Sequence, residues 1–377
     1  MVKRNHNFER LEPNYLFKRM LDIAAKYKSV VDLSIGDTSL PIPQEVTEAM
    51  ERKAQALGTL EGYTGYGMGQ GNLELRELLA QKYGRSADEI FISDGAKSDV
   101  GRLQLLFGNQ VSIAVQDPAY PVYVDTSLLM GQKEIVYLPC TRENNFFPEL
   151  KKADLIYFCS PHNPTGYAAT RDQLTELVEF AKKHNSIIIY DSAYAAFIQN
   201  PDCPGSIYEI PGADEVAIEV SSFSKTFGFT GVRLGWSIVP KQLKYADGRL
   251  VHPDYLRIAT TFFNGASNIA QAGGVAAMQT DCSPLIAHYR ENVRILREAL
   301  KERFVVGGGD APYLFAYFGG NSWQEFETLL ERSGVLAIPG SGFGRSGEGF
   351  LRFSALAKRS TIEEAANRLH CYLSPTC

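Results

Sequence analysis

Residues 154–166 read DLIYFCSPHNPTG, an unbroken apolar run that stops abruptly in serine, proline, asparagine and glycine. A strand with one wet face alternates apolar and polar side chains, whereas a strand covered on both faces is apolar throughout. The run therefore predicts a strand buried between two layers, with a sharp turn at its carboxyl end. VSIAV (111–115), SIIIYD (186–191) and VAIEVSS (216–222) have the same character. Helical periods separate them. Thr170 and Gln173 stand at capping-box spacing, and Leu174, Leu177, Val178 and Ala181 then make one apolar stripe. Val46, Met50, Ala54 and Leu57 make an earlier one. This β-α-β alternation predicts an α/β fold with a mostly parallel sheet and right-handed crossovers.

The last quarter of the chain has another rhythm. Ser283-Pro284 opens a charged helical stretch through about Phe304, and Ser322 with Glu325 and Ser360 with Glu363 are spaced as capping boxes. YLFAYF (313–318) and FLRFS (350–354) read as short strands between these helices, the makings of a smaller α+β domain. The 377 residues exceed a comfortable single core. The expected division is an N-terminal arm with part of the small domain at 1–40, a large domain at 41–285 and the C-terminal small domain at 286–377.

Composition narrows the function. A net charge of -5 without a basic stripe argues against nucleic acid as a partner. The six cysteines, Cys140, Cys159, Cys203, Cys282, Cys371 and Cys377, form no C-x-x-C pair and none stands at ligand spacing from a histidine. Neither a disulfide framework nor a metal site is expected. MVKRNHNFERLEPNYLF at the N-terminus has no apolar signal region, and no apolar run has the length of a membrane span. The expectation is a reduced, soluble, cytoplasmic chain.

Open parallel sheets bind ligands beyond the carboxyl ends of their strands. After IFIS (90–93) comes Asp94-Gly95-Ala96-Lys97 and then a helix from about Ser98 to Phe107, whose N-terminus suits an anion. Tyr120 follows VSIAV within QDPAYP, Asn163 lies in the turn after LIYFCS, and Asp191 ends SIIIYD with Tyr194 three residues on. Ser222, Ser224 and Lys225 close the last run, in SSFSKTFGFTGVRLGW (221–236), which ends near Arg233. Singly, each has an ordinary use: a cap, a turn, a core aromatic, a surface lysine. Lys225 could equally be a pocket amine with a depressed pKa that attacks a carbonyl. Together they suit one cofactor. An aldehyde that bonds a lysine, a phosphate that needs hydroxyls and a cation, and a pyridine nitrogen that needs a carboxylate would use them all. The set points to pyridoxal 5'-phosphate.

SPHNPTG (160–166), YDSAY (190–194), SSFSKTFGFTGVRLG (221–235) and FLRFS (350–354) resemble the fold-type I, class I/II aminotransferases, and the likeness spans nearly the whole chain. Within that family, LSIGDTSLPIP (33–43), EGYTGYG (61–67), SDGAKSDVGRLQ (93–104), QDPAYPVYVD (116–125), ENNFFPEL (143–150), FNGASNIAQAG (263–273) and PGSGFGRSGEGFLRFS (339–354) are similar to the LL-diaminopimelate branch. The resemblance implies that Lys225 would hold the cofactor as a Schiff base and shuttle a proton. Asp191 would pair with the pyridine nitrogen, Tyr194 and Asn163 would bind the ring oxygen, and Tyr120 would stack on the ring. Ala96, Lys97, Ser222, Ser224 and Arg233 would hold the phosphate. Arg352 would grip the substrate α-carboxylate, assisted by Gly36 and Asn163. Tyr15, Tyr66 and Asn264 would reach the site from the other subunit of a homodimer with shared active sites. Amino-acid and 2-oxo-acid substrates would be the partners.

Two departures stand out. In the diaminopimelate branch an acidic residue three positions after the tyrosine matching Tyr66 helps hold the distal ammonium; here the segment is Tyr66-Gly67-Met68-Gly69-Gln70-Gly71. Loss of such a charged partner typically costs about 1.5–3 kcal/mol. Gln70 or a water could replace it in part, or the donor could be another amino acid with a long polar tail. His162 stands where the family usually has asparagine, a loop residue beside the site. Three other readings remain: the same fold with lysine, glutamate or an aromatic acid as donor, a β-eliminating or decarboxylating relative, and a cofactor-binding regulator without turnover.

Overall fold

The computed structural model describes residues 2–12 and 16–374, so Tyr15 and Cys377 lie outside the described residues. Strands among these residues are β1 (Val31–Asp32), β2 (Ile90–Ser93), β3 (Ile113–Asp117), β4 (Ile135–Pro139), β5 (Leu155–Cys159), β6 (Ile187–Asp191), β7 (Ala217–Ser222), β8 (Gly235–Ile238), β9 (Val305–Gly307), β10 (Tyr313–Tyr317), β11 (Val335–Leu336), β12 (Ile338–Pro339) and β13 (Phe350–Ser354). Seven form one sheet in the order β2-β8-β7-β6-β5-β3-β4. From β7 to β4 the neighbours are parallel. β8 runs antiparallel between β2 and β7. Every residue of β3, β5, β6 and β7 is buried, as expected of strands covered on both faces, including the polar Gln116, Asp117, Asp191, Glu219, Ser221 and Ser222. β4 and β8 are additions to that reading. β4 is an edge strand with an exposed tyrosine and a terminal proline, and β8 is the short run Gly-Trp-Ser-Ile, so neither has the apolar signature.

The helix Arg171–His184 begins at Thr170 with the expected capping box and buries Leu174, Leu177, Val178 and Ala181. In the helix Gln44–Ala56 only Val46 is fully buried, and Ala54 is exposed. Steps of four residues advance about 40° each, so the second step carries Ala54 off the face. The helix expected from Ser98 starts at Ala96, and the one expected to reach Phe304 ends at Ala299. Both later capping boxes are corrected. Asn321 caps the helix Ser322–Ser333 by accepting from the Trp323 and Gln324 amides, while the Ser322 hydroxyl accepts from the Gly349 amide at 2.9 Å. Ser360 lies inside the helix Arg359–Leu373, because Arg359 is drawn into its first turn by bonds to Asn292 at 2.6 Å and the His288 carbonyl at 2.9 Å.

A second, antiparallel sheet has the order β12-β13-β10-β9. Its core joins both ends of the chain: Leu16, Met20 and Leu33 pack with Leu296, Leu329, Ile338, Leu351 and Ile362. Arg352 sits on β13 between Ile338 and Phe315, with a strand on either side. The glycine-rich loop 340–347 ties this sheet to the large one. Asp117, at the end of β3, accepts from the Ser346 hydroxyl at 3.0 Å, and the Ala119 amide donates to the Phe343 carbonyl at 2.8 Å. Gly344 has φ 142°, and a Cβ there would overlap the Asp117 carboxylate. No helix among the described residues is long and apolar enough to cross a membrane.

Thr170→Ala removes one half of a formed capping box and should lower stability by about 0.5–2 kcal/mol. The measurement is the urea midpoint of the apoprotein; an unchanged midpoint would mean that the cap contributes nothing.

Candidate functional site

The carboxyl ends of β3, β5, β6 and β7 open on a cavity of about 540 Å³. The strand order reverses between β3 and β5, the place where parallel sheets leave a crevice. Gly95 precedes the helix Ala96–Phe107 with φ 120°, and no side chain caps that helix. A Cβ on Gly95 would stand 2.5 Å from the Arg233 guanidinium, so glycine is needed for the cation to reach the helix N-terminus. Arg233 itself has φ 66° and donates from Nη1 to Ser224 Oγ at 3.4 Å and the Thr230 carbonyl at 3.2 Å. The Ser222 and Ser224 hydroxyls are 2.9 Å apart. A guanidinium, two hydroxyls and a helix N-terminus form an anion cradle.

Asp191 ends β6, buried. Its carboxylate accepts from the Tyr123 hydroxyl at 2.6 Å and the Ala193 amide at 3.1 Å. Burial raises its pKa above the usual carboxylate range, and these two bonds oppose the rise. Among the described residues this carboxylate has no cationic partner. Across the cavity, Lys225 lies in the short turn of helix Phe223–Thr226, and its Nζ donates to the Gly36 carbonyl. Burial lowers its pKa to about 8, helped by Arg352 and Arg233 and opposed by Asp37.

Arg352 is 1% exposed. Nη1 donates to Asn163 Oδ1 at 2.7 Å and Nη2 to the Ser34 carbonyl at 2.6 Å. Its guanidinium lies 4.4 Å from the Tyr313 ring centre and 4.9 Å from that of Phe343. Among the described residues Nε is buried without a partner. Tyr194 Oη is 3.0 Å from Tyr313 Oη. Tyr120 meets Tyr123 edge to face at 5.8 Å.

The structure thus brings Gly36, Ala96, Lys97, Tyr120, Asn163, Asp191, Tyr194, Ser222, Ser224, Lys225, Arg233 and Arg352 to one cavity. It does not bring Tyr66 or Asn264, which are exposed and absent from the lining. Tyr15 lies outside the described residues. The sequence reading missed Tyr123 and Tyr313. Tyr123 had a signal, being three residues from Tyr120 at the start of the helix Pro121–Leu129; Tyr313 reads only as a strand residue. His162 is fully buried, its Nδ1 2.8 Å from Thr165 Oγ1, and burial lowers its pKa to about 3, so it braces the turn as a neutral ring. Gln70 is buried and donates to the Asp88 carbonyl at 2.8 Å, so it is not available in place of a carboxylate at position 69.

These groups fit pyridoxal phosphate. The anion cradle suits a phosphate, the under-compensated Asp191 suits a protonated ring nitrogen, and the lowered pKa of Lys225 suits an amine that bonds an aldehyde.

Comparison with known proteins agrees. Residues 28–369 match the family described as Aminotransferase class I and II. A protein of Protochlamydia amoebophila (strain UWE25) named LL-diaminopimelate aminotransferase is 51% identical over 98% of this chain and 97% of its own. The Arabidopsis thaliana protein named LL-diaminopimelate aminotransferase, chloroplastic, is 49% identical over 97% of this chain and 86% of its own. The solved structure of L,L-diaminopimelate aminotransferase from Chlamydomonas reinhardtii superposes with a TM-score of 0.94 at 51% identity, covering 99% of each chain.

The lysine can be tested without any substrate. Only the free amine reacts with an amine-directed reagent, so labelling of Lys225 in the apoprotein should reach half its maximal rate near pH 8. An ordinary lysine does so near 10.4. Mass spectrometry of the peptide holding Lys225 reads the result, and a midpoint near 10 would refute the lowered pKa.

Proposed function

Since the chain belongs to the class I and II aminotransferases, which are pyridoxal-phosphate-dependent transaminases, we propose that it exchanges an amino group between LL-2,6-diaminopimelate and 2-oxoglutarate. The keto acid product cyclises to tetrahydrodipicolinate, and the net flow in the cell runs back toward diaminopimelate, for lysine and cell-wall synthesis. One observation carries the chemistry: the Lys225 amine, the Asp191 carboxylate and the Arg352 guanidinium converge on one cavity. Relatives bearing that enzyme's name at 49–51% identity support the substrate.

When bound, pyridoxal phosphate supplies an aldehyde for the amine and a ring that takes up the electron pair left at the α-carbon. Asp191, aligned by Tyr123, would hold the proton on the ring nitrogen. Arg233, Ser222, Ser224, Ala96 and Lys97 would hold the phosphate, Tyr120 would cover the ring, and Tyr194 and Asn163 would bind its oxygen. Arg352 receives the α-carboxylate on its fork with Asn163 and Gly36 beside it, which fixes the α-hydrogen toward Lys225. A pKa of about 8 leaves Lys225 a free-amine fraction at neutral pH, so Nζ can accept the α-proton and return it.

The reading includes a homodimer, the division into an arm with part of the small domain at 1–40, a large domain at 41–285 and a C-terminal small domain at 286–377, and a cytoplasmic location. Exposed Leu60, Tyr63, Tyr66, Met68 and Phe262 support the dimer. In it Tyr66 and Asn264 would complete the opposite site.

A different donor is the second reading, favoured by Gly69. A Cβ there would stand 2.6 Å from Thr260 Cγ2, and Gln70 is turned away. The threonine methyl occupies the room that an acidic side chain would need.

In a single half-reaction with the yellow holoenzyme and no keto acid, LL-diaminopimelate should bleach the cofactor to its amino form rapidly, with lysine slower and glutamate and phenylalanine run alongside. Diaminopimelate inert beside a fast alternative donor would discard the named substrate and keep the cofactor and Lys225. Arg352→Lys, which loses the planar fork, should raise KM for every α-amino acid roughly ten- to a hundredfold; an unchanged KM would remove Arg352 from carboxylate binding.

A further inference from the structure

Tyr313 belongs to β10 of the small sheet, yet its hydroxyl lies 3.0 Å from that of Tyr194, which follows β6 of the large one. Both are buried and both line the cavity. Two phenols at this distance share a single hydrogen bond, so only one of them donates to the other. If Tyr194 donated, its proton would be committed to Tyr313 and lost to any ligand.

One feature sets the polarity and two fix the geometry. The Arg352 guanidinium lies 4.4 Å from the Tyr313 ring centre, and a cation over the π face draws electron density from the ring and strengthens its hydroxyl as a donor. Gly36 leaves the space that the hydroxyl fills, since a Cβ there would overlap Tyr313 Oη. The two rings meet nearly edge to face, at 72° with centres 5.2 Å apart, so the tyrosines cannot simply slide past each other. Among the described residues Tyr194 is the hydrogen-bond partner of this hydroxyl.

Resting on the cofactor reading above, we propose that Tyr313 is a positioning residue: its hydroxyl donates to Tyr194, so that the Tyr194 proton points to the oxygen of the cofactor ring. The chain of donors runs from Arg352 through the Tyr313 ring and hydroxyl to Tyr194. A phenol that accepts a hydrogen bond is itself a better donor. Tyr194 therefore stabilises negative charge on the ring oxygen more strongly than it would alone. That charge governs how firmly the neighbouring nitrogen, bonded to Lys225, keeps its proton.

The readout is the pH midpoint of the visible absorbance of the holoenzyme, which reports that proton without turnover. Tyr313→Phe removes one oxygen and keeps the ring beneath Arg352. It should raise the midpoint by roughly half a unit to one unit, lower kcat several-fold and leave KM for the amino donor within about twofold. Tyr194→Phe should raise the midpoint further. In Tyr194→Phe/Tyr313→Phe the midpoint should equal that of Tyr194→Phe alone, because the second oxygen then has nothing to donate to. A wild-type midpoint in Tyr313→Phe, or a Tyr313→Phe shift that persists without the Tyr194 hydroxyl, would overturn the proposal and leave Tyr313 as packing. A wild-type protein that develops no visible absorbance with pyridoxal phosphate would overturn the functional reading and this inference with it.

Discussion

Burying a guanidinium is among the costlier acts in a protein, and Arg352 is buried almost completely. Its place is possible only because three distant parts of the chain meet there. β13 supplies the residue, the segment after β1 supplies the Ser34 carbonyl, and the turn after β5 supplies Asn163. Tyr313 and Phe343 close its faces. The small sheet, the N-terminal segment and the large sheet are thus held in one relation by a buried cation whose donors would otherwise be left without acceptors. Nε finds no partner among the described residues, so the stabilisation is incomplete.

The same incompleteness runs through the cavity. Desolvation lowers Lys225 and raises Asp191, each away from its charged form. Desolvation of this kind opposes folding, and the groups persist because a ligand with matching features would relieve it. A ring cation beside Asp191, an aldehyde at Lys225 and a carboxylate at Arg352 would each do so. The protein is complementary to what it binds chiefly through what its own side chains do not satisfy among themselves.

Shape sets the limits where charge does not. Gly95 admits the Arg233 guanidinium to the helix N-terminus, and Gly36 admits the Tyr313 hydroxyl. Gly69 does the reverse: its vacancy is already filled by the Thr260 methyl. A glycine at a functional edge can therefore open a site to a neighbour or be hemmed in by one, and only the surrounding atoms distinguish the two.

The large sheet was legible because strands buried on both faces are mostly apolar, as β5, β6 and β7 are apart from Glu219 and the polar residues at their carboxyl ends. The helix at 171–184 was legible because its cap and stripe are local. Lys225, Asp191, Asn163 and Arg352 could be named because each lies at the end of such an element or within a motif of the family. β4 and β8 escaped because an edge strand and a four-residue antiparallel strand need not be continuously apolar. The caps at Ser322 and Ser360 were misplaced because Asn321 and the contacts of Arg359 outbid a local pattern. Tyr123 and Tyr313 became visible as site residues only in three dimensions. Hydrogen bonds and burial between residues 68 and 119 positions apart leave no spacing in the chain. Periodicity and composition thus determined which elements form and which chemistry their ends could bear; the tertiary structure decided which groups are desolvated together, because dielectric and proximity are properties of packing rather than of order along the chain.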